Sequence, residues 1–343
     1  MNSQEAKKLE NKVFKILNKH LNKEDSLIFG ASSGSDSTFL LNMLLTFQKK
    51  VPIKIVTAHV NHQLRKESDK EEIFLKNCIK KLNKNNVNIV IHTKKVDIKI
   101  ISKKKKKGIE ETGRKIRYEF FEKLAKKYNS KFILTAHHAD DNLETILLNF
   151  TRGASLKGLS GMQFTDKFSK NIFLFRPLLD ISKEEIISYL KNKNIKFFTD
   201  KSNFSQIYKR NIVRKKVIPE LKKLNPSVTK TTSKNTKIIR ETNNFLEEEA
   251  KKWINNNKRK GKRIKFNARA FRNINPALQK TIILQTYKNL IGNINNLENI
   301  HIEEILKILN NNIGNKRKKL GKVMFSLENN TINVAKITKK VQY

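Results

Sequence analysis

The sequence predicts an α/β protein: a doubly wound parallel sheet with helices on both faces, followed by a smaller, mainly helical domain. Three observations carry this. From Leu27 to Phe150, short apolar runs of strand length alternate with helical patterns, which implies parallel strands joined by crossover helices. Polar stretches rich in Ser, His, Asp and Glu follow the strand runs, at the carboxyl ends where such sheets bind ligands. After Pro219 the alternation gives way to Asn, Ser and Thr with helical segments between them.

Met1 to Lys23 reads as a charged amphipathic helix with no apolar signal core. Leu27-Ile28-Phe29-Gly30-Ala31 is the first strand, and Thr38 to Leu45 the first apolar helix behind it. Pro52 to Val60 is a strand, Ser68 to Leu82 a helix and Val87 to His92 a strand. Glu110 to Lys127 is a helix, Phe132 to Ala136 a strand and Leu143 to Phe150 a helix. The five consecutive lysines from Lys103 to Lys107 read as an exposed, mobile loop, with contact to RNA phosphates as the second reading. A boundary is expected between Leu224 and Thr232, which makes 1–226 one domain (core about 25–219) and 227–343 the other. The second should contain helices over Asn235–Asn255, Pro276–Leu290 and Ile302–Leu309. It should end in a hairpin turning at Asn329-Asn330.

Composition narrows the function classes. The formal net charge is +42, from 73 basic and 31 acidic residues, a field that attracts polyanions such as nucleic acid. Abundant Lys, Asn and Ile also fit an AT-rich coding sequence, so the sign of the charge is more telling than its size. Cys78 is the single cysteine, which excludes an internal disulfide and a cysteine-held zinc or iron–sulfur site within one chain. No run of about 18 apolar residues exists, so no membrane partner is expected.

Three stretches carry candidate chemistry. Ser32-Ser33-Gly34-Ser35-Asp36-Ser37 joins the first strand to the first helix. Small residues admit phosphate oxygens to backbone N–H groups at a helix N-terminus, and Asp36 can hold Mg2+ against a polyphosphate. The Gly-Lys-Ser/Thr ending of a Walker loop is missing, and a Ser-rich capped turn is the plain alternative. Ala58-His59-Val60-Asn61-His62-Gln63-Leu64-Arg65 ends the second strand. Thr135-Ala136-His137-His138-Ala139-Asp140-Asp141-Asn142-Leu143-Glu144-Thr145 ends the strand at Phe132 and opens a helix. Its own residues leave open a His–carboxylate metal site and a capped helix start. Glu110, Arg114, Arg117 and Tyr118 share neighbouring helical positions, as a surface ion pair or as a phosphate-binding set.

These motifs, in order, resemble the tRNA(Ile)-lysidine synthetases, a family of N-type ATP pyrophosphatases with an adenine-nucleotide α-hydrolase-like fold. The family's loop reads Ser-Gly-Gly-x-Asp-Ser, so Ser33 replaces a glycine. Were the backbone there at positive φ, serine would be strained. The resemblance continues through Arg152-Gly153, Gly158-Leu159-Ser160-Gly161-Met162, Arg176-Pro177-Leu178-Leu179, Asp200-Lys201-Ser202-Asn203 and Arg210-Asn211-Ile212-Val213-Arg214. It implies ATP binding by Ser32, Ser33, Gly34, Ser35, Asp36, Ser37, His59 and Arg114, with Mg2+ at Asp36. It implies catalytic roles for Asp36, His137, Asp141, Glu144 and Arg214, with the two acids holding lysine rather than forming a structural ion pair. The implied partners are ATP, free L-lysine and tRNA(Ile) with a CAU anticodon, with a homodimer open as an assembly. The implied setting is bacterial cytoplasm, or an organelle stroma of bacterial descent. The alternatives are a related tRNA-thiolating enzyme, which would need more cysteines, and a basic tRNA-binding protein with a decayed ATP site.

Overall fold

A computed structural model describes residues 1–64, 67–83, 87–198, 209–257, 264–292, 297, 299–311 and 316–337. The chain forms two compact units, Met1–Thr145 with Met162–Ser233, and Ile146–Gly161 with Lys234–Tyr343.

The elements run α1 (Ser3–Asn18), β1 (Ser26–Gly30), α2 (Ser35–Gln48), β2 (Lys54–Asn61), α3 (Glu67–Asn83), β3 (Ile89–Lys95) and α4 (Ile98–Lys105). They continue with α5 (Ile109–Lys127), β4 (Phe132–Leu134), α6 (Ala139–Phe150), α7 (Leu156–Leu159), β5 (Thr165–Ser169), β6 (Ile172–Phe175) and α8 (Lys183–Asn192). Next come α9 (Lys209–Ile212), a π-helical turn (Val213–Val217), α10 (Ile218–Leu224) and α11 (Val228–Asn257). Last are β7 (Ile264–Asn267), α12 (Ala268–Arg272), α13 (Pro276–Ile291), α14 (Asn299–Asn310), β8 (Lys316–Leu320), β9 (Val323–Glu328) and β10 (Thr331–Lys336).

In the first unit a six-stranded sheet has the order β3-β2-β1-β4-β6-β5. All neighbours are parallel except the β5–β6 pair. That edge departs from the all-parallel expectation for a local reason: two residues join β5 to β6, enough for a hairpin and too few for a crossover. The chain leaves β1 toward β2 on one side and returns to β4 on the other. The order therefore reverses between β1 and β4, and a crevice opens at their carboxyl ends. The strands are buried on both faces. Leu27 and Phe29 face one apolar cluster with Phe39, Leu40 and Met43, while Ile28 faces another with Val56, Phe121 and Ile133. The first cluster includes Ala6, Leu9, Val13, Phe14 and Leu17 of α1, whose start is closed by an Asn2/Glu5 capping box.

The lysine run is exposed as expected, but only its end, Lys106 and Lys107, lies outside a helix. Lys103, Lys104 and Lys105 form the last turn of α4, and Lys106 closes it in the left-handed conformation at φ 49°. Cations suit a helix C-terminus, and Ile98 and Ser102 are buried under the same helix.

The second unit is less purely helical than expected. A four-stranded antiparallel sheet, β7-β10-β9-β8, joins its helices. The β9–β10 hairpin turns where expected, with Asn329 and Asn330 at φ 45° and 56°. Two strands escape the sequence reading. β7 has only Ile264 and Phe266 as buried apolar positions, and β8 (Lys-Arg-Lys-Lys-Leu) has only Leu320. Each is held by its ladder to a better-patterned strand. The unit's core gathers Phe266, Phe271, Ile283, Ile305, Phe325 and Val334, with Trp253 packed on Phe266 and Phe271. Among the described residues no helix is long and apolar enough to cross a membrane.

Candidate functional site

The site forms where β1, β2 and β4 end. Gly30 closes β1, and a Cβ there would lie 2.6 Å from the Phe121 ring, so only glycine lets α5 pack this close. The chain then turns through Ser32 and Ser33 into α2. Gly34 is the N-cap and offers no side-chain cap to the first N–H groups of α2, the arrangement that suits an anion cradle. The turn is braced from within. The Ser32 N–H donates to Ser37 Oγ at 2.8 Å, and the Phe198 N–H donates to the Ser33 carbonyl at 2.9 Å.

Ser33 is buried, and its hydroxyl donates to the Glu71 carbonyl at 3.1 Å. It is not among the positive-φ residues, nor is Gly34. The expected strain at Ser33 is therefore absent: the backbone suits any L-residue, and the hydroxyl ties the loop to α3.

A cavity of about 420 Å³ opens beside the loop. Its wall includes Ser32, Asp36 and Ser37 from the loop, His59 to His62 from the end of β2, Arg117 from α5, and Thr135 to His137 after β4. His59 is buried, and its Nδ1 lies 3.1 Å from the Ala31 carbonyl, which fixes Nδ1 as the protonated nitrogen. Asn61 holds the strand end through hydrogen bonds to Asp69 and Glu72. Arg114 lies exposed with its guanidinium 4.9 Å from the Tyr118 ring centre, and Arg117 rather than Arg114 lines the cavity. Arg65 and the segment Asp200 to Asn203 lie outside the described residues.

The segment after β4 brings together most of the charge. The two adjacent histidines are driven in opposite directions. His137 accepts or donates through Nδ1 to Thr135 Oγ1 at 2.8 Å. Burial, with Arg176, Arg210 and Arg114 outweighing Asp141, lowers its pKa to about 4, so it is neutral at pH 7. His138 is buried too, which opposes its charge, but Asp140, Asp141 and Asp36 surround it and raise its pKa. Its Nε2 lies 3.4 Å from Asp141 and 3.6 Å from Asp36.

Asp141 also caps α6, accepting from the His138 N–H at 3.2 Å. Its pKa is lowered: burial opposes ionisation, and His138, His137 and Arg210 overcome it. Asp140 does more than favour the helix start. Its carboxylate accepts from the Lys183 N–H at 2.8 Å and the Thr229 hydroxyl at 3.2 Å, tethering α6 to α8 and to the first turn of α11.

Glu144 is only 1% exposed. It accepts from Arg210 Nε at 2.8 Å and from Arg214 Nε and Nη2 at 2.5 and 3.1 Å. Arg214 Nη2 also reaches Asp141 at 3.2 Å. Asp141 and Glu144 thus do not stand free for a ligand. Both are already engaged by two arginines spaced four apart, presented by α9 and the π turn, an irregularity common at functional sites.

Sequence reasoning misses Lys183. Its ammonium bridges Ser35 Oγ at 2.7 Å and Asp36 Oδ1 at 2.5 Å. The available signal is the Ser182/Glu185 capping box, which announces a helix start just after a strand end.

Among the described residues no group of three or more His, Cys, Asp or Glu is arranged to hold a metal ion. The donor set fits Mg2+ all the same. Asp36 offers one carboxylate beside an anion cradle, and Mg2+ is commonly bound through one or two carboxylates plus substrate phosphates.

Comparison with known proteins places this geometry. Residues 5–221 match the PP-loop domain family. A tRNA(Ile)-lysidine synthase of Petrotoga mobilis is 37% identical over 67% of this chain and 71% of its own length. Another from Clostridioides difficile is 29% identical over 92% of this chain and 67% of its own. The chain thus spans about two thirds of the length of these curated relatives. The solved U34-tRNA thiolase NcsA of Methanococcus maripaludis, with its [4Fe-4S] cluster, shares the fold. It superposes with a TM-score of 0.57 at 17% identity, covering 70% of this chain and 81% of the thiolase. With a phosphate loop at the β1–β4 switch point and this set of relatives, the chain belongs to the PP-loop ATP-binding tRNA(Ile)-lysidine synthase family.

Proposed function

We propose that this protein uses ATP to join free L-lysine to the wobble cytidine of tRNA(Ile) bearing a CAU anticodon. One observation carries the reading beyond family membership. The phosphate loop, the His137–Glu144 segment and the Arg210/Arg214 pair are joined by direct contacts, His138 lying between Asp36 and Asp141 and Arg214 reaching Asp141 and Glu144, so groups for a nucleotide, an amine and a displaced phosphate are neighbours.

The chemistry takes two steps. The cytosine C2 oxygen attacks the α-phosphorus of ATP and pyrophosphate leaves, turning a poor leaving group into an adenylate. The lysine ε-amine then attacks C2, the C2–O bond breaks, AMP departs and the amine gives up its proton. The helix N-terminus at Gly34 to Ser37 stabilises the charge that builds on the phosphates. Asp36 would hold Mg2+, which supplies further charge neutralisation on the polyphosphate. His137 lines the cavity as a neutral imidazole, and with its pKa lowered to about 4 its role is to hydrogen-bond and orient the reacting groups rather than to serve as a strong base. Asp141 and Glu144 bind the amines of lysine as Arg210 and Arg214 move toward phosphate oxygen, an exchange of one cation for another at the same carboxylates.

Purified protein, ATP and tRNA(Ile) should support ATP–pyrophosphate exchange without lysine, and lysine incorporation when it is added. Exchange with neither this tRNA nor a CAU stem-loop would overturn the proposal. The thiolating alternative has little support, because a cluster needs more thiolates than the single Cys78 supplies. A bacterial cytoplasmic setting, basic contact of 227–343 with tRNA, and a homodimer belong to the same proposal.

A further inference from the structure

The second unit holds a cavity of about 240 Å³ whose lining shares no residue with the site described above. It is enclosed by α7, α11, α13 and α14. Leu156, Leu246, Leu284 and Ile302 give it apolar walls, and Lys157, Glu247, Lys280 and Lys288 surround them with charge. On α13, Thr281, Leu284, Gln285 and Lys288 are spaced three and four residues apart, so a single helical face supplies an apolar, an amide and a cationic group.

Two of these groups lack a protein partner. Glu247 accepts from Lys157 and from Asn243, each at 3.3 Å, and Lys280 pairs with Glu303 at 3.1 Å. Lys288 has no carboxylate at ion-pairing distance among the described residues. Burial, with Lys157 and Lys251 nearby, lowers its pKa against the pull of Glu247, so an anion in the cavity would favour its charged form. Gln285 is 5% exposed, and its amide has no hydrogen-bond partner among the described residues. A buried amide without a partner is destabilising, and leucine would fill much the same volume without that cost. The partner has to come from the cavity that the amide lines.

These features describe the ligand. It has an apolar body for the leucine walls, an edge with both a donor and an acceptor for the amide, and a negative charge for Lys288. A nucleotide combines all three. Gln reads a base edge through its N–H and its oxygen, and unstacked bases lodge between apolar side chains. Lysine takes phosphate. The volume lies below the roughly 300 Å³ at which pockets for drug-sized ligands begin, so it suits one base and excludes a helix. The net charge of +42 favours an RNA chain over a free nucleotide as the source.

We propose that this cavity receives one unpaired nucleotide of the tRNA, its base against Gln285 and its phosphate on Lys288. The inference rests on reading the chain as a tRNA-modifying enzyme. It adds a point at which the second unit holds a single-stranded part of the RNA.

Equilibrium binding of the full chain to tRNA(Ile) and to a fully paired RNA duplex, over a range of salt, tests it on the wild type, Gln285→Leu and Lys288→Met. Gln285→Leu should weaken tRNA(Ile) binding roughly three- to tenfold, the scale of one neutral hydrogen bond, with its salt slope unchanged. Its duplex affinity should equal that of the wild type, and its melting temperature should hold or rise as an unpaired buried amide is removed. Lys288→Met should also weaken tRNA(Ile) binding and flatten the log–log salt slope by roughly 0.7, the share of one single-strand phosphate. ATP affinity measured without RNA should stay at the wild-type value in both variants. Equal losses for duplex and tRNA in Gln285→Leu would overturn the proposal, as would unchanged tRNA affinity in either variant. A lowered melting temperature in Gln285→Leu would assign the amide to packing and overturn it also. If the wild type bound neither RNA, the tRNA reading would fall, and this inference with it.

Discussion

The strand-end crevice of the first unit and the β8 edge of the second use charge in opposite ways. In the crevice each carboxylate has a named partner at a fixed distance: Asp36 with Lys183, Asp140 with the start of α8, Glu144 with Arg210 and Arg214. On β8, Lys316, Arg317 and Lys319 are exposed, and Lys318 pairs with Glu304 at 3.2 Å. Paired, half-buried charge acts over a few ångströms and resists screening, so it suits chemistry. Exposed like charge acts over about a Debye length and is weakened by salt, so it suits the capture of a polyanion.

The largest expected effect is at Asp36. Asp36→Asn keeps the shape of the side chain but removes the charge on which Lys183 and His138 converge. ATP–pyrophosphate exchange should fall by about 100-fold or more, the scale of losing a key electrostatic group. The melting temperature should move little, because the side chain is 30% exposed. Wild-type exchange by the variant would erase the distinction between crevice and surface charge.

Glu144→Gln comes next. It leaves Arg210 and Arg214 short of a partner, at a stability cost of about 2–4 kcal/mol, toward the low side of a broken buried pair because both arginines are partly exposed. If Glu144 takes up lysine, incorporation should fall further than exchange in the same preparation. An equal fall in both would assign Glu144 to the nucleotide instead.

Converting Lys316, Arg317 and Lys319 together to Gln tests the other side of the comparison. The slope of log tRNA affinity against log salt should flatten by roughly 0.9 for each duplex phosphate that the protein no longer neutralises. ATP affinity should stay at the wild-type value. An unchanged slope would mean that β8 does not meet the tRNA.

A smaller effect concerns pH. The His137 pKa falls from the ordinary 6.5 to about 4, chiefly through burial. Between these values the unfolded chain binds a proton that the folded chain does not, so stability rises with pH across this window. Folding free energy should therefore drop as the solution is acidified from about 6.5 toward 4. His62, also lowered to about 4 by burial, Arg117 and His59, adds to the same slope. His137→Asn should remove about one proton's share, and an undiminished slope would show that His137 titrates normally.

Ser33→Gly should have the smallest effect. With no positive φ to relieve and one hydrogen bond to Glu71 removed, it should cost about 0.5–1.5 kcal/mol. ATP affinity should stay within about twofold of wild type. A clear gain in affinity would restore the idea of a strained loop.

The sequence by itself determined the first unit's strand and helix alternation, the phosphate loop and the acid-rich helix start at Asp140 to Glu144. Those signals are local: apolar runs of fixed length, small residues before a helix, and charged residues bunched after a strand. It also placed the Asn329-Asn330 turn, because that turn is written in two adjacent residues. Tertiary structure alone decided which charges meet. Lys183 lies 147 positions from Asp36, and Arg214 lies 70 from Glu144. No periodicity connects such positions; the order of strands in the sheet does. The same holds for Ser33, whose φ is set by the loop's bonds to Phe198 and Glu71, and for β7 and β8, whose few apolar residues become strands only against β10 and β9. Short-range preferences are encoded residue by residue. Pairing across the chain depends on which distant segment the packed sheet brings within hydrogen-bonding reach, and that is a property of the folded molecule.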